Sequence, residues 1–270
     1  MEHSEKVRAL LARESYGFED LVQIMEILRS EQGCPWDREQ DHKSIRNDMI
    51  EETYEVIEAI DTDDPVLLRE ELGDVLLQIV FHARIEEEKG SFSVDDVAND
   101  ICKKLIHRHP HVFADVVADT PDAVLANWEV IKSDEKQRRT VTDKLRSIPP
   151  MLPALMRATK VGKKASCFDF PTAEDVMDKL AEEMVEVSEA MEAEDRAAIE
   201  EEIGDLLLTV TSLCRKLGVD AEQALGRATD KFICRFERLE EAVAERGMDM
   251  SAMDMTALDA VWDELKQKNG

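Results

Sequence analysis

Acidic residues that could bind a metal ion occur twice in this chain of 270 residues. The first copy reads EETYEVIEA at 51–59 and EELGDVLL at 70–77. The second copy, 131 residues further on, reads EEMVEVSEA at 182–190 and EEIGDLLL at 201–208. A single offset that holds across both segments indicates a duplicated structural unit, because two unrelated charged surfaces would not keep the same spacing.

Each copy places its acids at helical spacing. Residues three apart project from the same face of a helix, which puts Glu52 beside Glu55 and Glu71 beside Asp74. The short TDDP connection at 62–65 predicts that the two acidic helices are antiparallel neighbours whose carboxylates meet. The corresponding acids of the second copy are Glu183, Glu186, Glu202 and Asp205.

Four facing carboxylates predict a bound cation, since each negative charge disfavours ionisation of the others. An all-oxygen set without His or Cys is typical of a hard ion, with Mg²⁺ first and Mn²⁺ second. Two such ions would convert an acidic cleft into a polyphosphate site and would acidify a water for attack at phosphorus. Iron is disfavoured, because di-iron bundles place His three residues after Glu.

A solvated helix face is the ordinary explanation for a single ExxE pair in a chain with 61 acidic residues. The duplication, the apolar residues around the acids and the glycine before each aspartate argue against it here. Gly73 and Gly204 each cost about 1 kcal/mol in a helix relative to Ala. We therefore expect either a close backbone approach or room for a ligand at these two positions.

Basic and aromatic residues follow the acids in each copy. KLIHR at 104–108 and KFICR at 231–235 place Lys and Arg on one helical face, where they could hold phosphates or form surface salt bridges. WEVIK at 128–132 and WDELK at 262–266 place Trp and Lys in the same way, so each Trp is a candidate core anchor or base-stacking platform. The residues concerned are Lys104, Arg108, Trp128, Lys231, Arg235 and Trp262.

Composition and periodicity predict an all-α fold. Apolar residues make up 43% of the chain, whereas aromatic residues make up 5% and Gly and Pro are scarce, which favours helices over sheets. Apolar residues recur at helical spacing through both copies. The prolines of IPPMLPA at 148–154 predict a linker between two helical bundles. The expected domains are 1–147, with an extension over about the first 17 residues, and 148–270.

The net charge of −27 argues against nucleic acid and anionic membranes as partners unless metal ions reverse the local sign. No apolar run approaches 18 residues, so no membrane span is expected. The charged N-terminus does not read as a signal peptide. Five widely spaced cysteines without a CxxC motif indicate reduced thiols, so we expect a cytoplasmic protein.

The motifs resemble the MazG family of nucleoside triphosphate pyrophosphohydrolases over nearly the whole chain. The resemblance rests on GCPWDREQ, EETYEV, EELGD, HRHPHVFAD and IPPMLPALMRA. It implies an all-α, Mg²⁺-dependent and usually dimeric enzyme that converts a nucleoside triphosphate to the monophosphate and pyrophosphate. Water would attack the α-phosphorus in that reaction.

The resemblance also assigns roles to residues. It implies that Lys231 and Arg235 hold phosphate and that Trp262 lies by the nucleoside, with Lys104, Arg108 and Trp128 at the corresponding places of the first copy. The implied catalytic metal ligands are Glu183, Glu186, Glu202 and Asp205, and their first-copy counterparts are Glu52, Glu55, Glu71 and Asp74.

Three expectations about function follow from this reading. The resemblance implies a homodimer. We also expect broad base preference, because metal-bridged phosphates would supply most of the binding. The C-terminal unit is expected to be the main active one, since Arg108 runs into His109 and Pro110, where its helix must stop. A narrower dUTP or phosphoribosyl-ATP pyrophosphatase and a non-catalytic nucleotide sensor or regulatory partner are the alternatives.

Overall fold

The prediction of an all-α fold is confirmed. The computed structural model describes residues 3–116, 118–135 and 140–268, and these contain helices and no β-strand. The helices are α1 His3–Leu11, α2 Phe18–Leu28, α3 Pro35–Glu39, α4 Arg46–Asp61, α5 Pro65–Glu88, α6 Val94–Arg108, α7 Pro110–Phe113, α8 Pro121–Glu135, α9 Val141–Arg146, α10 Ala154–Lys164, α11 Ala173–Glu192, α12 Arg196–Lys216, α13 Ala221–Glu245 and α14 Met255–Lys268. Short 3-10 turns occur at Ser166–Phe168 and Met250–Ala252.

The chain divides into two compact units, Met1–Lys132 and Ser133–Gly270. The short helix α9 packs against α10 and is therefore grouped with the second unit. The proline-containing segment between α9 and α10 is not helical, as its prolines require. The domain boundary expected between residues 147 and 148 stays a prediction.

A helical hairpin is the central element of each unit: α4 with α5 in the first and α11 with α12 in the second. A tight turn closes the first hairpin. Asp63 adopts a left-handed backbone with φ 53°, and the N–H of Asp64 donates to the carbonyl of Ala59 at 3.1 Å. This is the bonding of a Schellman C-cap. The Asp64 carboxylate then accepts from the N–H groups of Val66 and Leu67, which caps α5.

The second hairpin repeats this turn residue for residue. Glu194 also has φ 53°, and the N–H of Asp195 donates to the carbonyl of Ala190 at 3.2 Å. The Asp195 carboxylate caps α12 by accepting from the N–H groups of Ala197 and Ala198. The 131-residue shift between the two copies therefore relates two equivalent turns. The acids before and after each turn keep the same positions along their helices.

The two units bury different cores. In the first, Met25 of α2 packs with Ile45 and with Val80, Phe81 and Ile85 of α5. In the second, the largest described cluster lies between α13 and α14 and consists of Leu239, Val243 and Val261. The first core includes Val80 of α5, six residues after Asp74, whereas the second lies on helices that follow the second hairpin.

Much of the apolar periodicity of the hairpins is not buried within the chain. Several side chains of the apolar stripes are 40% exposed or more, although Val80 and Val176 are buried. The exposed side chains include Ile57, Ile60, Leu72, Met184, Met191, Ile203 and Leu207. On α13, Leu225, Phe232 and Ile233 are half exposed as well. Exposed apolar side chains on paired helices are candidates for a surface that another element covers.

None of the described helices combines the length and apolar composition that a membrane crossing requires.

Candidate active site

The first hairpin brings three of its four predicted acids together. Glu52 and Glu55 of α4 and Glu71 of α5 each place a carboxylate oxygen within 4.8 Å of the others. Glu71 is 9% exposed, Glu52 is half-buried and Glu55 is exposed. The spacing within α4 puts two acids on one face, and the antiparallel neighbour supplies the third.

The second hairpin builds the same cluster. Glu183 and Glu186 of α11 and Glu202 of α12 also approach within 4.8 Å. Glu183 is the most buried acid of either cluster, at 4% exposure, and the other two are half-buried. The carboxylate clusters are named here the first cluster (Glu52, Glu55, Glu71) and the second cluster (Glu183, Glu186, Glu202).

The fourth acid of each set lies beside its cluster rather than within it. Asp74 is half-buried and Asp205 is exposed, and neither belongs to a group of three close carboxylate oxygens. Their charges nevertheless reach the clusters. Asp74 contributes to a raised pKa of Glu52 and Glu71, and Asp205 contributes to a raised pKa of Glu202.

Burial is the main cause of these raised pKa values, and negative neighbours add to it. After burial, Asp74 and then Glu55 raise the pKa of Glu52, and Glu55 and then Asp74 raise the pKa of Glu71. In the second cluster, Glu186 and then Asp205 follow burial in raising the pKa of Glu202. The folded protein therefore stores electrostatic repulsion at both clusters, and a cation would relieve it.

A lysine that the functional prediction missed lies in the second cluster. The Lys179 ammonium is 2.8 Å from Glu182 Oε1, 3.1 Å from Glu183 Oε1 and 3.7 Å from Glu186 Oε2. Hydrogen bonds to Glu182 and then Glu183 raise the pKa of Lys179. Its spacing of four residues before Glu183 was a visible signal, since Lys and Glu at that spacing are neighbours on a helix.

One carboxylate oxygen of the second cluster has no described hydrogen-bond partner. Glu183 Oε1 faces Lys179, whereas Glu183 Oε2 is buried and unpaired among the described residues. A buried carboxylate oxygen without a partner is costly unless something binds it. Together with the all-oxygen donor set, this atom makes the second cluster fit a hard divalent ion.

The glycines before the aspartates do not mark a close backbone approach, so that half of the expectation was wrong. A Cβ built on Gly73 or Gly204 would meet no described atom within 4 Å. Both positions face open space, and the expectation that they make room for a ligand stays a prediction.

The arginine of the first unit's basic pair, and not its lysine, contacts the tryptophan of that unit. Arg108 is buried, with its guanidinium carbon 5.9 Å from the centroid of the Trp128 ring, and Lys132 Nζ is 4.9 Å from the same centroid. Two cations at the indole make cation–π contacts and occupy a surface that a base would need. Lys104 is exposed. The helix α6 ends at Arg108, in agreement with the stop predicted from Pro110.

The second unit presents its basic pair differently. Lys231 is exposed and Arg235 is half-buried on α13, which continues to Glu245. The Trp262 ring lies 5.5 Å from the Phe232 ring and packs against the core between α13 and α14. It also lines a cavity of about 400 Å³. The other lining residues are Phe232, Phe236, Leu239, Met250, Met255, Leu258 and Asp259.

The fold and these groups define a class of tandem helical proteins with a duplicated carboxylate site. Both clusters lie on equivalent hairpins, and a helix with a Lys/Arg pair follows each hairpin in the chain. Each unit therefore carries candidate ligands for a divalent ion and, on a helix that follows in the chain, cationic groups suited to phosphate.

Comparison with known proteins identifies the family. The MazG nucleotide pyrophosphohydrolase domain matches residues 40–113 and 171–239, which contain all eight acids and both basic pairs. The chain belongs to this family, and it carries the domain twice.

Relatives match over nearly the full chain. A Thermotoga maritima protein named nucleoside triphosphate pyrophosphohydrolase/pyrophosphatase MazG is 44% identical over 251 residues, which cover 92% of this chain and 95% of that protein. A nucleoside triphosphate pyrophosphohydrolase of Escherichia coli K12 is 46% identical over 92% of this chain and 96% of its own length. A protein of the same name from Mycobacterium tuberculosis is 35% identical over 91% of this chain and 66% of its own length.

Neutralising one acid of the second cluster should stabilise the metal-free protein. The folded-state pKa of Glu202 is raised above its ordinary value of 4.5, so the ionised carboxylate destabilises the fold above that raised pKa. This destabilisation disappears below the ordinary pKa of 4.5, where Glu202 is protonated in both the folded and the unfolded protein. We expect Glu202→Gln to raise the melting temperature at neutral pH in a chelator and to have little effect at about pH 4.

The matched control is Glu241→Gln, which removes an exposed acid from α13 and should leave the melting temperature nearly unchanged at both pH values. An equal rise for Glu202→Gln at neutral and acidic pH would contradict electrostatic repulsion as the cause.

Proposed function

We propose that this chain hydrolyses nucleoside triphosphates to the monophosphate and pyrophosphate. The observation that carries the proposal is the position of both carboxylate clusters inside the two matched pyrophosphohydrolase segments. The names of the Thermotoga and Escherichia relatives, which align over more than nine tenths of the chain, support the same activity.

The carboxylates are the proposed ligands of Mg²⁺, with Mn²⁺ as a substitute. Glu183, Glu186 and Glu202 would hold the ion, with Asp205 beside them, and the unpaired Glu183 Oε2 is the best-defined donor. When bound, the ion supplies positive charge for the phosphates and lowers the pKa of a coordinated water. The residues themselves fix the position of that charge, because they project from two helices locked by a tight turn.

Lys231 and Arg235 are the proposed phosphate-binding groups, and the cavity beside Trp262 is the proposed nucleoside site. The cavity wall is almost entirely apolar, with Asp259 as the one acid among its described lining residues. Apolar and aromatic walls bind the face of any base, whereas hydrogen bonds to base edges would be needed for strong discrimination. Broad base preference is therefore proposed over a narrower dUTP or phosphoribosyl-ATP specificity.

The position of bond cleavage separates this proposal from other phosphohydrolase reactions. Hydrolysis in ¹⁸O-labelled water should place the label in the nucleoside monophosphate, since water attacks the α-phosphorus, and none in pyrophosphate. The products can be measured by mass spectrometry with a panel of nucleoside triphosphates in Mg²⁺. Nucleoside diphosphate and orthophosphate as first products would refute the assignment, and no turnover of any substrate would favour the non-catalytic sensor.

We propose that the C-terminal unit performs most of the hydrolysis. Its basic pair lies on a helix that continues for ten residues beyond Arg235, whereas α6 ends at Arg108. In the first unit, Arg108 and Lys132 contact Trp128. In the second unit, Trp262 lines an open cavity. These contrasts support a nucleotide site in the second unit.

Paired substitutions test this assignment. Glu186→Ala should reduce kcat/KM by about 100-fold or more, because losing a ligand of the catalytic ion removes several kcal/mol of transition-state stabilisation. Glu55→Ala is the matched variant of the first unit and should retain most of the activity. The reverse pattern would assign catalysis to the first unit, and large losses from both would indicate coupled sites.

A homodimer is proposed because the exposed apolar faces of the hairpins need a partner. Leu207 on α12 is 50% exposed and Met184 on α11 is 62% exposed, and both belong to stripes that the sequence repeats in the other hairpin. Burial of such faces by a second copy would remove apolar area from water. A closed dimer would cover the same patch on both copies.

Light scattering can test the dimer directly. We expect the wild-type mass to be twice that of the 30.7 kDa chain at micromolar concentration, and Leu207→Glu to shift the protein toward monomer. Leu217→Glu, at the exposed end of α12, is the control and should stay dimeric. A monomeric wild type would refute the proposal.

We propose a cytoplasmic location because the cysteines form no disulfide bonds among the described residues. All five are unpaired, and three of them are exposed. Exposed free thiols persist in reducing compartments.

A further inference from the structure

The two carboxylate clusters contain the same acids, but the residue one helical turn before the first of these acids is positively charged in one copy and negatively charged in the other. Lys179 precedes Glu183 by four residues, and the equivalent position before Glu52 is occupied by Asp48. Residues four apart lie on the same face of a helix. The repeat therefore preserves the ligands and reverses the sign of the charge that flanks them.

Lys179 is bound into the second cluster rather than extended into solvent. Its side chain is 30% exposed and contacts three carboxylates of α11. The shortest contact to a proposed metal ligand is 3.1 Å, to Glu183 Oε1, and the Glu183 side chain is 5% exposed. Loss of this contact would leave the buried Glu183 carboxylate without the cation that neutralises it among the described residues, which is costly.

The two carboxylate oxygens of Glu183 therefore have different surroundings. One oxygen is bound to the ammonium and the other is buried without a described partner. A divalent ion at Glu183 would share its carboxylate with Lys179 or displace the ammonium from it. In either case the positive charge of Lys179 opposes the charge of the ion across a short distance.

We propose that Lys179 is a built-in counter-ion that lowers the affinity of the second cluster for free divalent ions. It stabilises the metal-free state by neutralising part of the carboxylate repulsion, and the incoming ion must overcome this contact. The first cluster has Asp48 instead and should bind divalent ions more tightly. The inference rests on the proposed function only in that the clusters hold a divalent ion, and Lys179 acts through Glu183 as a positioning residue.

The probe is Mn²⁺, measured by calorimetry and by the loss of the free-ion electron paramagnetic resonance signal. The full chain carries Glu55→Gln and Glu71→Gln, so that only the second cluster binds. In this background Lys179→Met should increase Mn²⁺ affinity by about fivefold or more, at the lower end of typical coupling between two sites. The metal-free melting temperature should fall, and the rise on adding Mn²⁺ should grow.

Two further variants identify the charge as the cause. Lys179→Arg keeps the cation and should retain an affinity near that of the background protein. Lys89→Met removes an equal charge from an ion pair with Glu86, outside the cluster, and should leave Mn²⁺ affinity unchanged. Asp48→Lys, with the second cluster neutralised by Glu186→Gln and Glu202→Gln, should weaken Mn²⁺ binding at the first cluster.

A purely structural role predicts the opposite sign for Lys179→Met, because loosened carboxylates would bind Mn²⁺ less tightly. Unchanged or weaker Mn²⁺ affinity for Lys179→Met would overturn the role of Lys179 and leave the proposed hydrolysis standing. If Lys179→Met does not fold, an unchanged affinity in Asp48→Lys would overturn it. Absence of any Mn²⁺ binding by the wild-type chain would overturn both proposals.

Discussion

The repulsion between carboxylates on two antiparallel helices is the constraint on which the rest of the structure depends. A folded chain ordinarily keeps such groups apart or in solvent, but here burial and like charges together raise the pKa of Glu52, Glu71 and Glu202. The hairpin turns hold the acids in place against this repulsion. Stability lost in this way at a site is commonly recovered when the site is filled, because ligand binding to the folded state adds to its stability.

The two units meet this constraint with different neighbours. The second cluster contains a lysine within hydrogen-bond distance of its most buried acid, whereas Glu52, Glu55 and Glu71 face one another. The same divergence extends to the aromatic residues: Trp128 contacts two cations and Trp262 lines an apolar cavity. The duplicated acids are thus the same in both units, whereas the residues around them differ.

Much of the site could be predicted from sequence, because helical spacing and turn length depend on local geometry. Glu52, Glu55 and Glu71 meet for the reason the sequence suggests: three-residue spacing on one helix and a short turn to the next. The place of Lys179 could also have been predicted, since its contacts to Glu182 and Glu183 follow from helical spacing on α11. Apolar periodicity likewise predicted the helices but not their exposure, because a stripe facing a second copy reads the same as a stripe facing a core. The glycines before the aspartates illustrate a further limit, because their sequence position alone suggested a close backbone approach that the structure does not have.

The duplicated turn also determines how the hairpins can vary. Asp63 and Glu194 hold a left-handed conformation that β-branched residues would resist, and the aspartates after them cap the next helix. Successive residues of an α-helix are rotated by about 100° around its axis. One residue inserted in this turn, with the packing of α5 or α12 retained, would shift the register of α4 or α11 by that angle and point its pair of acids away from the facing helix. Sequence length between the two acidic segments is therefore as much a part of the site as the acids themselves, and an intact spacing is the simplest mark by which a functional hairpin can be told from a degenerate one.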